Sequence, residues 1–276
     1  ETILLQYFKS KEGIYLAPEK IEIINPLSGA CSQINGLEQI DIFIGFIPEL
    51  FKQSKDYFEN NFLNLKKYCS IRKELMETGL RDNRGYLQPI AIVPFVYFYN
   101  PNYTNASIVP SSWQELLDKR WKGKVLMPDD KHIAPQVIKT ILKHENPTLI
   151  KSIDENIVCE GMPPNVIDAI EAGEFSIGIT NISFGIISKI KNIQVASPND
   201  GYICMPQIIA CRNKVDKEII EDLIKFLLSK EIQDLFSQQS FISVREGGKS
   251  LDFIGNITDM LKWPGWQKFC QVFKNR

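Results

Sequence analysis

The sequence predicts an α/β fold. Short apolar runs of strand length alternate with longer stretches of helical spacing. No repeat or low-complexity tract interrupts that alternation, which argues against a solenoid. At 276 residues the chain can bury a large core and stands at the length where one core tends to divide in two. Composition is that of a globular protein, 44% hydrophobic and 24% charged. With 32 basic and 33 acidic residues the net charge is −1, so nothing drives binding to a phosphate backbone and no nucleic-acid partner is expected.

The elements follow in order. "TILLQYFKSK" has helical spacing, "KIEIINP" is a strand entering a turn, and "IDIFIGF" is a strand apolar enough for burial on both faces. "ELFKQSKDYFENNFLNLKKY" reads as one helix with a polar face. "PIAIVPFVYFY" (89–99) is a long strand interrupted by Pro94, as a strand leaving one sheet for another would be. In "PSSWQELLDKRW" a capping box (Ser112 with Glu115) predicts an amphipathic helix with Trp113, Leu116 and Leu117 inward. "KGK" turns the chain and "VLMP" is a strand. Asp129 or Asp130 is expected to cap the next helix, which buries Val137, Ile138, Ile141 and Leu142. "PPNVIDAIEAGEF" is a helix with Asn165 near its start and Gly173 at its end. "SIGIT" is a strand and "ISFGIISKI" a short helix. "IQVASPNDGYICMPQIIACRN" is strand, turn and strand, and "KEIIEDLIKFLLSKEIQDLF" is one long amphipathic helix.

The longest apolar run is too short to span a bilayer and contains prolines. The first residue is Glu1 and no signal peptide is visible, so the expectation is a processed mature chain or a trimmed one. The six cysteines form no CxxC pair and only two histidines are present, so no zinc site is expected, and no cofactor. The cysteines read as small core residues, and their number leaves open disulfides outside the cell or free thiols inside it.

"SWQELLDKRWKGKVLMPDD", "IEAGEFSIGITN", "SPNDGYICMPQIIAC" and "LIKFLLSKEIQDLF" stand in the order seen in type II periplasmic solute-binding proteins, which the sequence resembles from about Asp41 to Phe236. The resemblance is to the ferric-iron and phosphonate-type receptors of ABC importers, and the tail "LKWPGWQKF" is similar to an iron-transporter-like subgroup of anaerobic bacteria. It implies two α/β lobes joined by two crossing strands, within "YLQPIAIVPFVYFYNP" and "ASPNDGYICMPQ". Lobe 1 would comprise residues 1–92 and 203–276, and lobe 2 residues 93–202. Such proteins open with a strand and a ligand-facing loop before the first helix. Here the chain starts close to or within that helix, so the expectation is either that upstream sequence has been removed or that lobe 1 is N-terminally incomplete.

On that fold, strand ends of both lobes and helix N-termini face a shared cleft, where anionic groups bind readily. Four loops supply candidates. Asn25, Ser28, Gly29 and Cys31 follow the first strand, or form an ordinary capped turn. Gly45 and Phe46 end "IDIFIGF", with Phe46 either lining the cleft or in the core. Lys131 and His132 open a helix of lobe 2, where contact by His132 would make binding pH-sensitive. Asn181, Ser183 and Phe184 occupy the fourth loop, where ferric-binding members carry adjacent tyrosines. Ser183 and Phe184 supply no phenolate, and a hard cation needs anionic oxygen ligands, so ferric binding by a tyrosine pair is disfavoured and no metal is assigned to protein ligands. Asn181 and Ser183 suit a polar solute or a metal held in an organic chelate. Tyr97, Tyr99 and Tyr202 near the crossovers are further candidates, with core or hinge roles as the alternative.

The expected function is therefore a monomeric, extracytoplasmic binding protein that closes around one small-molecule ligand and delivers it to an ABC permease. The alternative is a cytoplasmic sensor or scavenger on the same fold. No nucleophile–base pair, GxSxG motif or metal cluster supports an enzyme.

Overall fold

The computed structural model describes residues 40–187, 192–248 and 260–274. The predicted helix "TILLQYFKSK" and strand "KIEIINP" therefore lie outside the described residues. Strand β1 (Ile42–Gly45) leads to helices α1 (Pro48–Phe51), α2 (Lys55–Asn61) and α3 (Lys73–Glu77). The long strand β2 (Gln88–Tyr99) is buried along its whole length. Strand β3 (Val125–Met127), α4 (Ile133–Glu145), α5 (Ile150–Asn156), β4 (Ile157–Cys159), α6 (Pro163–Ala172), β5 (Ile177–Asn181) and α7 (Ile182–Ile187) follow. Strands β6 (Gln194–Ala196) and β7 (Tyr202–Cys211) precede α8 (Lys217–Leu227), α9 (Lys230–Gln238), β8 (Ile242–Ser243), β9 (Leu261–Lys262) and α10 (Trp266–Lys274).

The sheet order is β1-β7-β2-β5-β3-β4, with β6 and β8 also on β2 and β9 on β7. Strand β2 changes partners midway. It pairs antiparallel with β7 from Gln88↔Ile209 to Pro94↔Cys204, then with β5 from Phe95↔Asn181 to Phe98↔Gly178. The exchange falls at Pro94, the residue with no N–H to give to a ladder, as its place in the sequence predicts. Beyond the exchange β3 lies parallel to both β4 and β5, so the second half of the sheet is a parallel core closed by β2.

Several helices are shorter than their sequence patterns suggest, because a serine or aspartate side chain restarts each one. Ser54 Oγ accepts the Tyr57 N–H at 3.1 Å, splitting "ELFKQSKDYFENNF" into α1 and α2. Ser229 accepts from Ile232 and divides the expected long C-terminal helix into α8 and α9. "SSWQELLDKRW" forms two 3₁₀ turns, Glu115–Leu117 and Lys119–Trp121, in place of an α-helix. Half of the capping box is made, with Glu115 N–H on Ser112 Oγ at 3.2 Å, but the Glu115 carboxylate takes the N–H and hydroxyl of Ser111 instead, and Asp118 starts the second turn by accepting from Arg120. Strand β1 pairs only with β7 among the described residues and buries alternate side chains, so its expected burial on both faces is corrected to that of an edge strand.

Helix α6 ends where Gly173 adopts φ 75°, a left-handed conformation that glycine takes without steric cost. It seats on β5 at Gly178, where an added Cβ would stand 2.7 Å from Ile170 Cγ1 and 2.8 Å from Val166 Cγ1. Gly178→Ala is therefore expected to lower the unfolding free energy by about 1–3 kcal/mol in urea denaturation, through overpacking alone.

Candidate ligand site

The parallel strands β3, β4 and β5 present their C-terminal ends on one edge of the second half-sheet. Asn181, the last residue of β5, stands opposite Phe95, next to the partner exchange at Pro94. On the other side, Gly45 ends β1 opposite Ile208 of β7. The path from Ile208 to Cys204, then from Pro94 to Phe95, is about 17 Å of strand. The registers thus direct both sets of strand ends toward the exchange.

At the β5 edge Asn181 is buried, and its Oδ1 accepts the Ser183 N–H at 3.1 Å and the Ser183 hydroxyl. This caps α7, so Asn181 and Ser183 are brought together with the Asn181 carbonyl already used. Phe184 is partly buried against the core. At the β3 edge, neither Asp129 nor Asp130 is the cap of α4, because His132 takes that position. Asp129 closes the preceding turn instead, its Oδ1 accepting the Lys131 N–H and its carbonyl the His132 N–H, both at 2.8 Å. Lys131 is exposed. His132 is only 6% exposed: Nε2 stands 3.0 Å from Met162 Sδ, and Nδ1 is buried with no hydrogen-bond partner. Met162, half exposed at the N-cap of α6, is a neighbour that reading the sequence missed. Only the parallel register of β3 and β4 reveals it, reinforced by Asp129 N–H on Gly161 O.

Other candidates lie apart from this edge. Phe46 is fully buried, its ring 4.6 Å from Phe51 and 5.8 Å from Phe269; of its two readings the structure has the core, because α10 covers the end of β1. Tyr97 is fully buried edge-on to Trp113 at 4.9 Å, with an unpartnered hydroxyl. Burial, reinforced by Asp200 and Glu115, holds its pKa well above that of a free phenol. Tyr99 donates to Gln194 Oε1 at 2.6 Å. Tyr202 is buried, and burial raises its pKa against the opposing effect of a hydrogen bond with Ser197. These phenols sit within the crossover packing. Tyr97→Phe is expected to leave thermal stability unchanged or raise it by about 1 kcal/mol, since it removes a buried, unpaired hydroxyl. Asn25, Ser28, Gly29 and Cys31 lie outside the described residues.

Cys69, Cys159, Cys204 and Cys211 are free thiols. Burial pushes Cys69 up to about 12 and Cys159 to about 11, and Cys204 and Cys211 higher still. Among the described residues no group of three or more His, Cys, Asp or Glu could hold a metal ion, and no helix is long and apolar enough to cross a membrane. A cavity of about 780 Å³ lies between α1, α2, the 79–84 loop and α10, and one of about 390 Å³ lies beside Asp130 and Lys139. Neither contains a candidate residue from the strand ends. The first is a gap between packed elements, and the second is an outward-facing hollow around an ion pair at 2.9 Å. The strand-end edge is therefore preferred on grounds of chemistry.

The chain belongs to the bacterial extracellular solute-binding proteins, whose family model matches residues 38–272. Its fold is the two-lobed periplasmic-binding-protein type II fold with two crossover strands, as shown by similar solved structures. A ferric binding protein from Campylobacter jejuni superposes with a TM-score of 0.72 at 17% identity, over 99% of this chain and 92% of the other. A Trichodesmium protein (IdiA, FutA), solved with iron and citrate ligands, gives 0.66 at 17% identity over 85% and 80%. Iron-bound HitA from Pseudomonas aeruginosa gives 0.65 at 16% over 89% and 86%. Comparison with curated protein sequences gave no match. The family is one of solute-binding proteins, so a solute-binding role with a small-molecule ligand and a permease partner follows.

Proposed function

We propose that the chain is the extracytoplasmic, monomeric receptor of an ABC importer of the iron-transporter-like branch, and that its cargo is a chelated ferric ion or another small polar anion. Lobe 1 would be residues 1–92 and 203–276 and lobe 2 residues 93–202, closing around the ligand at the edge formed by Lys131, His132, Asn181 and Ser183. The observation that carries this reading is the register of β2, which turns the strand ends of both halves toward Pro94. The iron in similar proteins, one of them with citrate, supports the cargo class. A chelate is preferred to bare iron because Ser183 and Phe184 offer no phenolate and the described tyrosines near the crossover are buried.

Thermal shift against ferric citrate, uncomplexed ferric ion, methylphosphonate and small carboxylates tests this. Ferric citrate at 100-fold its dissociation constant should stabilise the protein by about 2.7 kcal/mol, and uncomplexed iron should not. No shift with any of the four would refute the proposed cargo class.

A further inference from the structure

We propose that residues 260–274 form a strap between the lobes, a third connection beside the two crossover strands, that sets how far the lobes open. The inference rests on the two-lobe reading. Strand β9 pairs with the start of β7, Tyr202↔Leu261 and Ile203↔Lys262, on the lobe 2 side of the Pro94↔Cys204 exchange. There Lys262 Nζ donates to Asp200 Oδ2 at 2.9 Å and Glu145 Oε2 at 3.1 Å. Glu145 ends α4, and Asp200 is itself fixed by accepting the Trp113 N–H at 3.1 Å. Burial lowers the Lys262 pKa, but the two carboxylates more than offset this and hold it above the usual lysine value. Four residues later the chain is embedded in lobe 1. Trp266 Nε1 donates to Leu80 O at 2.7 Å, and the Trp266 ring lies 5.2 Å from Phe51. Phe269 packs on both Phe46 and Phe51. One short segment thus has an ionic anchor on one lobe and an aromatic plug in the other, and widening the gap must break one of them.

Small-angle X-ray scattering of the full, ligand-free chain tests this with Lys262→Met, Trp266→Phe and the hinge control Pro94→Gly, each checked for folding by circular dichroism. Lys262→Met at low salt should show a longer maximum dimension than wild type. Wild type should reach the same dimension in 1 M salt, where the screening length is about 3 Å, and Lys262→Met should not change further. Trp266→Phe, which keeps the ring but loses the bond to Leu80, should lengthen it less. If Pro94→Gly widens the particle and the strap variants match wild type at both salts, the strap is refuted and the lobes stand. If no variant widens it, the proposed lobe boundaries themselves are wrong.

Discussion

Gln233→Leu is expected to cost about 4 kcal/mol of unfolding free energy, because four buried polar groups lose their partners at once. Gln233 is 1% exposed on α9. Its Nε2 donates to Ile90 O at 2.9 Å and Leu227 O at 2.8 Å. Its Oε1 accepts the Ser243 hydroxyl at 2.9 Å and the Val244 N–H at 3.0 Å. One amide thereby joins β2, the end of α8 and the β8 segment. Leucine nearly fills the same volume, so the loss would report hydrogen bonding and not a cavity. Urea denaturation of the two proteins, with equal slopes, is the check. A loss below about 1 kcal/mol would show that the network relaxes without it.

Trp113→Ala should be about as damaging, at about 3–5 kcal/mol, for a different reason. The ring is fully buried against Tyr97, and Nε1 donates to Gly201 O at 2.7 Å. Its backbone N–H meets Asp200, so Trp113 pins the 197–201 connection between β6 and β7. Trp113→Phe should recover most of the stability and leave Gly201 O unpaired, at about 1–2 kcal/mol. Near-ultraviolet circular dichroism together with urea denaturation separates loss of packing from global unfolding.

The sequence carries the strands and their punctuation well. Pro94 marks the point where β2 changes partners, Gly173 ends α6, and "IQVASPNDGYICMPQIIAC" folds as strand, turn and strand. Helix lengths are less legible, because hydrophobic spacing continues through Ser54 and Ser229 while their side chains start new helices. The same holds for "SSWQELL", where Glu115 bonds to Ser111 and the turn stays 3₁₀. Residue type also said little about the candidate site. Phe46 turns inward because α10, distant in sequence, covers it, and the neighbour of His132 is Met162, a contact set by strand register. Long-range packing of this kind leaves no local pattern in the chain.

Native mass spectrometry of the full chain with ferric citrate bears most directly on whether the strand ends enclose one ligand. Wild type should carry a single noncovalent chelate adduct. The His132→Gln, Ser183→Ala double variant should bind it about tenfold more weakly, equivalent to losing about 1.4 kcal/mol of contact. An unadducted wild-type protein, or equal occupancy in the double variant, would contradict a ligand held at this edge.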